Sequence, residues 1–345
     1  MTELMRLFTR RKLFLVAILL LLLALVPISV SAGTYGVTPV DVLKLVFSYG
    51  SVPSEVSAVL QLRLRRVLAS IAAGAILGAT GASMQAVLRN PLASPFTLGI
   101  SHAAALGVAV SLVLGAAGSV RRSIILIGNP YILPVFAFLS SLIQVAVILA
   151  LTYRAKLTER ALVLAAIAMS FLYQAALSLV QYLALNELQV AMVVFWTFGD
   201  VGRVDWVALK VIAAVAAVLA LYYEAMSLDL DLISLGDDVA YSSGVSPKRL
   251  RVGVSVVSAL GASVVTAFAG VIAFLCLVAP HIARLAVGNS HRYLVPASML
   301  VGAVLLLVAD DIGRSIINPA ILPVGIVLSF IGAPLLLYLL LRGGE

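Results

Sequence analysis

Residues Leu13–Val30 read LFLVAILLLLLALVPISV, and this apolar run decides the fold. A helix rises about 1.5 Å per residue, so about 20 apolar residues cross the roughly 30 Å hydrocarbon core of a membrane. Similar runs recur along the chain between short polar, Gly- or Pro-marked breaks. They include Val135–Leu151, Val207–Tyr223, Leu294–Ala309 and Ile321–Leu341. The pattern predicts an all-α polytopic membrane protein.

The composition supports a chain that lies almost wholly in the membrane. Of its 345 residues, 63% are hydrophobic and only 11% are charged, too few charges to cover a soluble domain of this size. The net charge of +8 comes from basic residues scattered at the ends of apolar runs. That distribution follows the positive-inside rule and does not form a nucleic-acid-binding face. The lone Cys276 excludes an intrachain disulfide and a cysteine metal cluster.

The spacing predicts about ten transmembrane helices in one transmembrane domain over residues 1–345. With both termini in the cytoplasm, most of the 23 Lys and Arg residues fall on the cytoplasmic side of a cell (plasma) membrane. A cleaved signal peptide ending near Val30-Ser31-Ala32 is the alternative for the first run. The predicted spans are 12–32, 61–88, 97–116, 131–153, 160–184, 206–226, 248–268, 271–287, 293–310 and 321–342.

The longest polar break, Leu228–Arg251, is predicted to be cytoplasmic and to contain two short helices around a turn. Asp237 and Asp238 suit a helix N-terminus, where the helix dipole favours negative charge. Gly244 permits a sharp stop, and Ser246-Pro247 is typical of an N-cap followed by proline at the first helical position. An ordinary loop is the alternative. A charged surface of two short helices is one that a soluble motor could contact.

Catalytic and nucleotide-binding motifs are missing from the sequence. The three histidines form no HExxH pattern, and no lysine follows a glycine, which excludes a Walker A loop. The acids Glu224, Asp310 and Asp311 lie at span ends and leave little for ion-gradient coupling. We therefore expect no enzymatic activity, no cofactor and no metal site. If nucleotide drives the protein, another subunit binds it.

Two polar features stand out against this apolar background. In the fifth span, polar side chains recur at intervals of four, four and three residues and so share one helix stripe. They are either interhelical hydrogen-bonding groups or the wall of a conduit for a polar solute. A basic cluster also falls at the predicted outer end of the second span, where it either anchors in the headgroups or docks an acidic partner. The stripe is Ser170, Gln174, Ser178 and Gln181, and the cluster is Arg63, Arg65 and Arg66.

Weak internal symmetry and small residues complete the pattern. The segments that start at Arg63 and at Lys248 each open with basic residues, continue as a Gly/Ala/Ser-rich helix and end in a Pro-interrupted one. By the predicted topology they begin on opposite faces, as in an inverted repeat. Gly74-x-x-x-Gly78 also predicts close approach of the second helix to a neighbour.

Three longer stretches carry a specific resemblance. The first runs from Arg63 through Gln85-Ala-Val-Leu-Arg89-Asn90-Pro91-Leu-Ala to Gly99. The second is Leu235-Gly236-Asp237-Asp238 through Arg251, and the third joins Ala279-Pro280-His281-Ile-Ala-Arg284 to Leu322-Pro323-Val-Gly325 and Gly332-Ala-Pro334. Together they resemble the FecCD-type permeases, the membrane subunits of ABC importers for iron-siderophores, haem and cobalamin.

The resemblance implies an all-α permease of the cobalamin-importer type that pairs with a second copy of itself in the lipid bilayer. It implies two cytoplasmic ATP-binding subunits, an extracytoplasmic substrate-binding protein, and no nucleic acid. A metal chelate, most simply an iron-siderophore, would cross at the homodimer axis by alternating access. A self-contained secondary transporter or channel is the alternative. The implied sites are Asp237, Asp238, Gly244 and Ser246 for ATPase coupling, the fifth-span stripe for the pathway, and Arg63, Arg66 and Arg314 for binding-protein docking.

Overall fold

The computed structural model describes residues 2–32, 54–116, 118–121, 124–155, 157–317 and 320–342. Within these ranges the chain forms thirteen α-helices, one antiparallel hairpin and two short 3-10 turns. The elements are α1 Thr2–Ser31, α2 Ser54–Val87, α3 Ile100–Val113, β1 Gly118–Arg121, β2 Ile124–Ile127, α4 Ile132–Tyr153, α5 Glu159–Ala184, α6 Glu187–Thr197, α7 Trp206–Ala225, α8 Ser227–Leu235, α9 Asp237–Ser242, α10 Pro247–Ala269, α11 Leu275–Val287, α12 His291–Ser315 and α13 Val324–Arg342, with 3-10 turns at Pro95–Leu98 and Val201–Arg203.

Each of the ten predicted spans corresponds to a helix. Among the described residues, seven helices are long and apolar enough to cross a membrane, namely α1, α2, α4, α5, α7, α10 and α12. The helices α3, α11 and α13 correspond to the other three predicted spans and are shorter in their described apolar part. The all-α membrane fold is therefore confirmed, with the small β1–β2 hairpin as an unpredicted addition.

Local capping explains where several helices begin. The side chain of Thr158 accepts from the backbone of Ala161 at the start of α5, and Asp205 caps α7 in the same way. Helix α6 was not predicted, although Asn186 and Gln189 form a reciprocal capping box at its start. These two polar residues lie among long apolar runs, and the hydropathy pattern used to predict the spans does not detect them.

The chain is organised as two compact units, each of which is described by itself. The first comprises Met1–Ala82, Val201–Ser227 and Ala273–Glu345. In it α12 packs against α1, α11 and α13. Gly74 and Gly78 place α2 so close to α12 that an added Cβ would overlap backbone atoms of Gly302 or Ser298. The close helix approach predicted from Gly74-x-x-x-Gly78 is confirmed.

The second unit comprises Ser83–Asp200 and Leu228–Ile272. Here α4 packs against both α3 and α10, and α5 packs against α3 and α4. The amide of buried Gln144 donates to the carbonyl of Leu98 at 2.7 Å and fixes the turn that precedes α3. The apolar core of this unit includes Leu112, Leu177 and Trp196. One domain over residues 1–345 stays a prediction.

The close approach of α2 and α12 makes Gly78→Ala an informative substitution. Alanine has the higher helix propensity, by about 1 kcal/mol, so propensity alone predicts a more stable protein. The overlap with the Ser298 carbonyl predicts the reverse, a loss of about 1–3 kcal/mol from overpacking. The thermal midpoint of the purified protein in detergent measures the sign.

The matched control is Gly128→Ala, because nothing lies within 4 Å of the Cβ that it adds. We expect this variant to unfold at the parent temperature. If Gly78→Ala is as stable as the parent or more stable, α2 and α12 do not approach as closely as described.

Candidate functional site

The predicted cytoplasmic loop folds into short helices. Helix α9 begins at Asp237, and Ser246 caps α10 with Pro247 at its first position. Both starts were predicted, but the second short helix expected after the turn is the beginning of the long helix α10, and the preceding helix α8 was not predicted. Gly236, at φ 136°, forms the corner between α8 and α9.

Gly244 ends α9 through its backbone conformation. Its φ is 87°, in the left-handed region that side chains disfavour. The amide of Gly244 donates to the carbonyl of Tyr241 at 3.0 Å, and that of Val245 donates to Ala240 at 2.9 Å. An added Cβ would meet nothing within 4 Å, so the demand for glycine is conformational and not steric.

Helix α9 presents side chains of mixed character to its surroundings. Asp238, Val239 and Tyr241 are exposed, Tyr241 by 76%, while Ala240 between them is fully buried. The helix is thus seated on the second unit by one side and leaves an aromatic, an aliphatic and an acidic group uncovered. Such a mixed patch suits contact with another protein.

Asp237, the first residue of α9, is 41% exposed and belongs to what we call the four-charge network: Arg89, Glu159, Asp237 and Arg251. The side chain of Arg251 is only 3% exposed. Its Nη2 donates to Asp237 Oδ1 at 2.6 Å and to Glu159 Oε1 at 3.2 Å. The hydrogen bond from Arg251 holds the pKa of Asp237 below its usual range.

Arg89 closes the network from the other side. Its Nε donates to Glu159 at 2.6 Å, and its Nη2 lies 3.9 Å from Asp237. Each carboxylate therefore lies between two guanidinium groups. Arg89 itself adopts a φ of 42°, which is unusual for a non-glycine residue and marks a strained position.

This network was not predicted. Arg89 and Arg251 occur in two of the sequence motifs, but no contact between them and Glu159 was expected. One signal was present, because Thr158-Glu159 places an N-cap and an acid at the first turn of α5. Nothing in the spacing of the four residues along the chain indicates that they meet.

The polar stripe on α5 is only partly covered. Gln174 and Ser178 are exposed, Gln181 is half-buried, and Ser170 is half-buried with its hydroxyl donating to the carbonyl of Ala166 at 2.7 Å. Large apolar side chains on other sides of the same helix are exposed too, including Phe171, Leu172 and Tyr182. The stripe's role as a pathway wall stays a prediction.

A second charged site, the arginine–aspartate cluster, lies in the first unit and consists of Arg63, Arg66, Asp310, Asp311 and Arg314. Asp310 is 0% exposed. Arg66 Nε donates to its two carboxylate oxygens at 2.7 and 3.0 Å, and Arg314 Nε lies 3.1 Å from Oδ2. Arg314 also pairs with Asp311.

The same arginines bind the carboxyl end of α1. Arg63 donates to the carbonyls of Val30 and Ser31 at 3.2 and 3.0 Å. Arg314 donates to the carbonyls of Ser29 and Ala32, both at 3.0 Å. The last carbonyls of a helix have no partner within it and attract cations.

The arginine–aspartate cluster is therefore a structural clamp in this structure. The side chains of Arg66 and Arg314 are only 12% and 8% exposed. Their predicted role in docking a binding protein stays a prediction. It now concerns side chains that already have intramolecular partners.

In the part of the chain that the structure describes, no three His, Cys, Asp or Glu side chains lie together in a way that could hold a metal ion. Cys276 is buried, with its sulfur 3.9 Å from the Thr80 hydroxyl.

Comparison with known proteins gives matches over nearly the whole chain. A putative ABC transporter permease protein of Methanocaldococcus jannaschii is 43% identical over 340 residues, which cover 98% of this chain and 97% of that protein. The hemin transport system permease protein HmuU of Yersinia pestis is 34% identical over 295 residues, 83% of this chain and 84% of that one.

A solved structure gives the same result for the fold. An inward-facing conformation of a putative metal-chelate type ABC transporter superposes with a TM-score of 0.80 at 27% identity, over 96% of this chain and 99% of that chain. The model of the FecCD transport family matches residues 20–342. The resemblance found in the sequence motifs is thereby confirmed, and this chain belongs to the FecCD transport family.

Proposed function

We propose that this chain is the membrane-spanning permease subunit of an ABC importer and performs no bond chemistry itself. Its partners are a second copy of itself, two cytoplasmic ATP-binding subunits and an extracytoplasmic substrate-binding protein. It lies in the cell membrane with both termini in the cytoplasm. The observation that carries this proposal is α9, a short helix outside the apolar spans with Val239 and Tyr241 exposed.

Helix α9 has the properties that a motor contact requires. Its exposed side chains offer an apolar grip, and Asp238 adds a charge at its first turn. Asp237, its first residue, accepts a hydrogen bond from Arg251 and so joins α9 to the four-charge network. We infer that the ATP-binding subunit contacts Asp238, Gly244 and Ser246 on this surface, and that Asp237 passes the force inward.

Helix α5 supports a second copy and a shared pathway. It is apolar enough to span the membrane, yet only Leu162, Ala166 and Leu177 along it are buried. Exposed Gln174 and Ser178 would be costly against lipid. They are better accommodated beside a water-filled pathway between two copies of the chain. This pathway opens to one side of the membrane at a time.

We infer that the cargo is a metal chelate, with an iron-siderophore as the first candidate. Relatives of this chain are named as permeases for hemin, Fe(3+)-citrate, iron(3+)-hydroxamate and vitamin B12. These cargoes share a chelated metal and differ in shape. Haem and cobalamin therefore remain candidates beside an iron-siderophore.

A self-contained secondary transporter or channel is the competing function. Ion coupling needs a carboxylate that can bind and release a cation within the membrane. The buried acid Asp310 is held by both Arg66 and Arg314. Because two guanidinium groups already occupy it, Asp310 is poorly suited to that role.

Substitution of Gly244 tests the motor contact. Gly244→Val forces a β-branched residue to φ 87°, at a cost of about 1–3 kcal/mol, and should distort the end of α9. In the reconstituted complex we expect lower ATP hydrolysis in response to the loaded binding protein, with normal membrane insertion.

Gly244→Asn is the matched control, because asparagine tolerates the left-handed region. It should retain most of the parent's stimulated hydrolysis. Equal stimulation in Gly244→Val and the parent would remove α9 from the coupling surface.

Cysteine labelling tests the pathway. In a Cys276→Ala background, Gln174→Cys and Ser178→Cys should react with a water-soluble maleimide, and their rates should change with nucleotide. Leu172→Cys is the control, since it is exposed on the opposite side of α5 and should face lipid. Labelling at 172 but not at 174 or 178 would place the conduit elsewhere.

Arg63 gives the cleanest test of binding-protein docking. Arg63 donates to the carbonyls of Val30 and Ser31, whereas Asp310 is paired with Arg66 and Arg314, so Arg63→Met should leave those two ion pairs in place. We expect slower association of the cognate binding protein and a weaker dependence on salt, because a rim charge acts mainly on encounter. Surface-immobilised complex measured across a salt series gives both quantities.

The control is Arg203→Met, an exposed arginine of the first unit. It should keep the parent's association rate. If Arg63→Met also keeps the parent's rate and salt slope, the arginines serve only the end of α1.

A further inference from the structure

Arg251 joins more segments than any side chain discussed so far, and all of them belong to the second unit. Its Nε donates to the carbonyl of Val87 at 2.9 Å, at the end of α2, and its Nη1 to that of Leu157 at 3.5 Å, just before α5. Its Nη2 reaches both Glu159, in the first turn of α5, and Asp237, in the first turn of α9. One guanidinium therefore links three helix ends.

The link suits the transmission of movement because of its chemistry. A guanidinium is planar and permanently charged, and its donors form a rigid fork, so Asp237 and Glu159 keep a fixed spacing while both are bound. The side chain is almost fully buried, and the network balances two positive groups with two negative ones, so release of Asp237 would leave Arg89 and Arg251 with Glu159 alone. If Asp237 moves, Arg251 moves with it, and Glu159 must then either move too or hold Arg251 back.

Arg89 interacts unequally with the two acids of the four-charge network. It binds Glu159 closely, at 2.6 Å, but lies 3.9 Å from Asp237. On the α5 side Glu159 is therefore held by two arginines, whereas Asp237 depends chiefly on Arg251. Because Asp237 is bound to Arg251 at 2.6 Å, a displacement of α9 acts first on Arg251.

We propose that Arg251 is a positioning residue for transport, whose guanidinium carries the displacement of α9 to the first turn of α5. The inference rests on the proposed function, because it takes α9 as the motor contact and α5 as the pathway wall. It adds the side chain through which the two act on each other. Arg251 touches neither motor nor cargo in this scheme.

A purely structural clamp is the competing explanation for the same contacts. A clamp would lower the stability of the protein and all activities together when it is removed. A relay would separate them, since the motor could still hydrolyse ATP while α5 no longer responded. The response of α5 to nucleotide is therefore the informative readout.

The experiment uses the complete complex of permease, ATP-binding subunits and binding protein in liposomes. The permease carries Cys276→Ala and Gln174→Cys, and fluorescein maleimide is the probe at position 174. Labelling rates with and without ATP and vanadate are compared with ATP turnover in the parent, Arg251→Met, Arg251→Lys and Glu159→Gln. The matched control is Arg154→Met, an exposed arginine of the same unit outside the four-charge network.

We expect Arg251→Met to keep its ATP turnover and to reduce the nucleotide-dependent change in labelling by about fivefold or more, the lower range of typical coupling between sites. Arg251→Lys should fall between Arg251→Met and the parent, because it keeps the charge without the fork. Arg154→Met should match the parent. Glu159→Gln removes only the α5 half, so it provides the same test if Arg251→Met does not fold.

The inference is overturned if folded Arg251→Met or Glu159→Gln responds to nucleotide as the parent does. It is also overturned if ATP turnover and the labelling response fall in parallel, which is the behaviour of a clamp. A parent complex whose labelling at position 174 ignores nucleotide would instead contradict the proposed function. The two failures are thus distinguishable.

Discussion

The hydrocarbon core of a membrane offers no hydrogen-bond partner, and this constraint shapes every feature of the chain. Backbone groups that cross it must be satisfied within their own helices, which explains why the long apolar runs are all helical. With no hydrophobic force between such helices, close packing has to hold them together. Gly74 and Gly78 supply it where the backbones of α2 and α12 nearly touch.

Because charged side chains are costly in the hydrocarbon core, they lie at the helix ends. There they form two charged clusters that bind helix ends together. In the first unit, the arginine–aspartate cluster satisfies the last carbonyls of α1 and buries Asp310 between two arginines. In the second unit, the four-charge network joins the ends of α2, α5 and α9. Helices that such networks join at their ends can move together as bodies, which alternating access requires.

Much of the fold was predictable because hydropathy and capping are local. All ten predicted spans are helices, and Ser246-Pro247 and Gly244 mark the ends that were predicted for them. The capping box of α6 was equally local but was overlooked. The networks were not predictable, since Arg89 and Arg251 are 162 residues apart and meet only through packing. The predicted docking role of Arg66 and Arg314 did not take their burial into account, because the sequence does not show that both side chains bind Asp310 in the folded chain.

The central claim is that transport by this chain is driven by ATP hydrolysed on other subunits. Its most direct test is uptake of a radiolabelled ferric chelate into proteoliposomes, with the permease alone or with its ATP-binding subunits and binding protein. The account predicts uptake only by the full complex with hydrolysable ATP, and none from an imposed proton or sodium gradient. Gradient-driven uptake by the permease alone would contradict it.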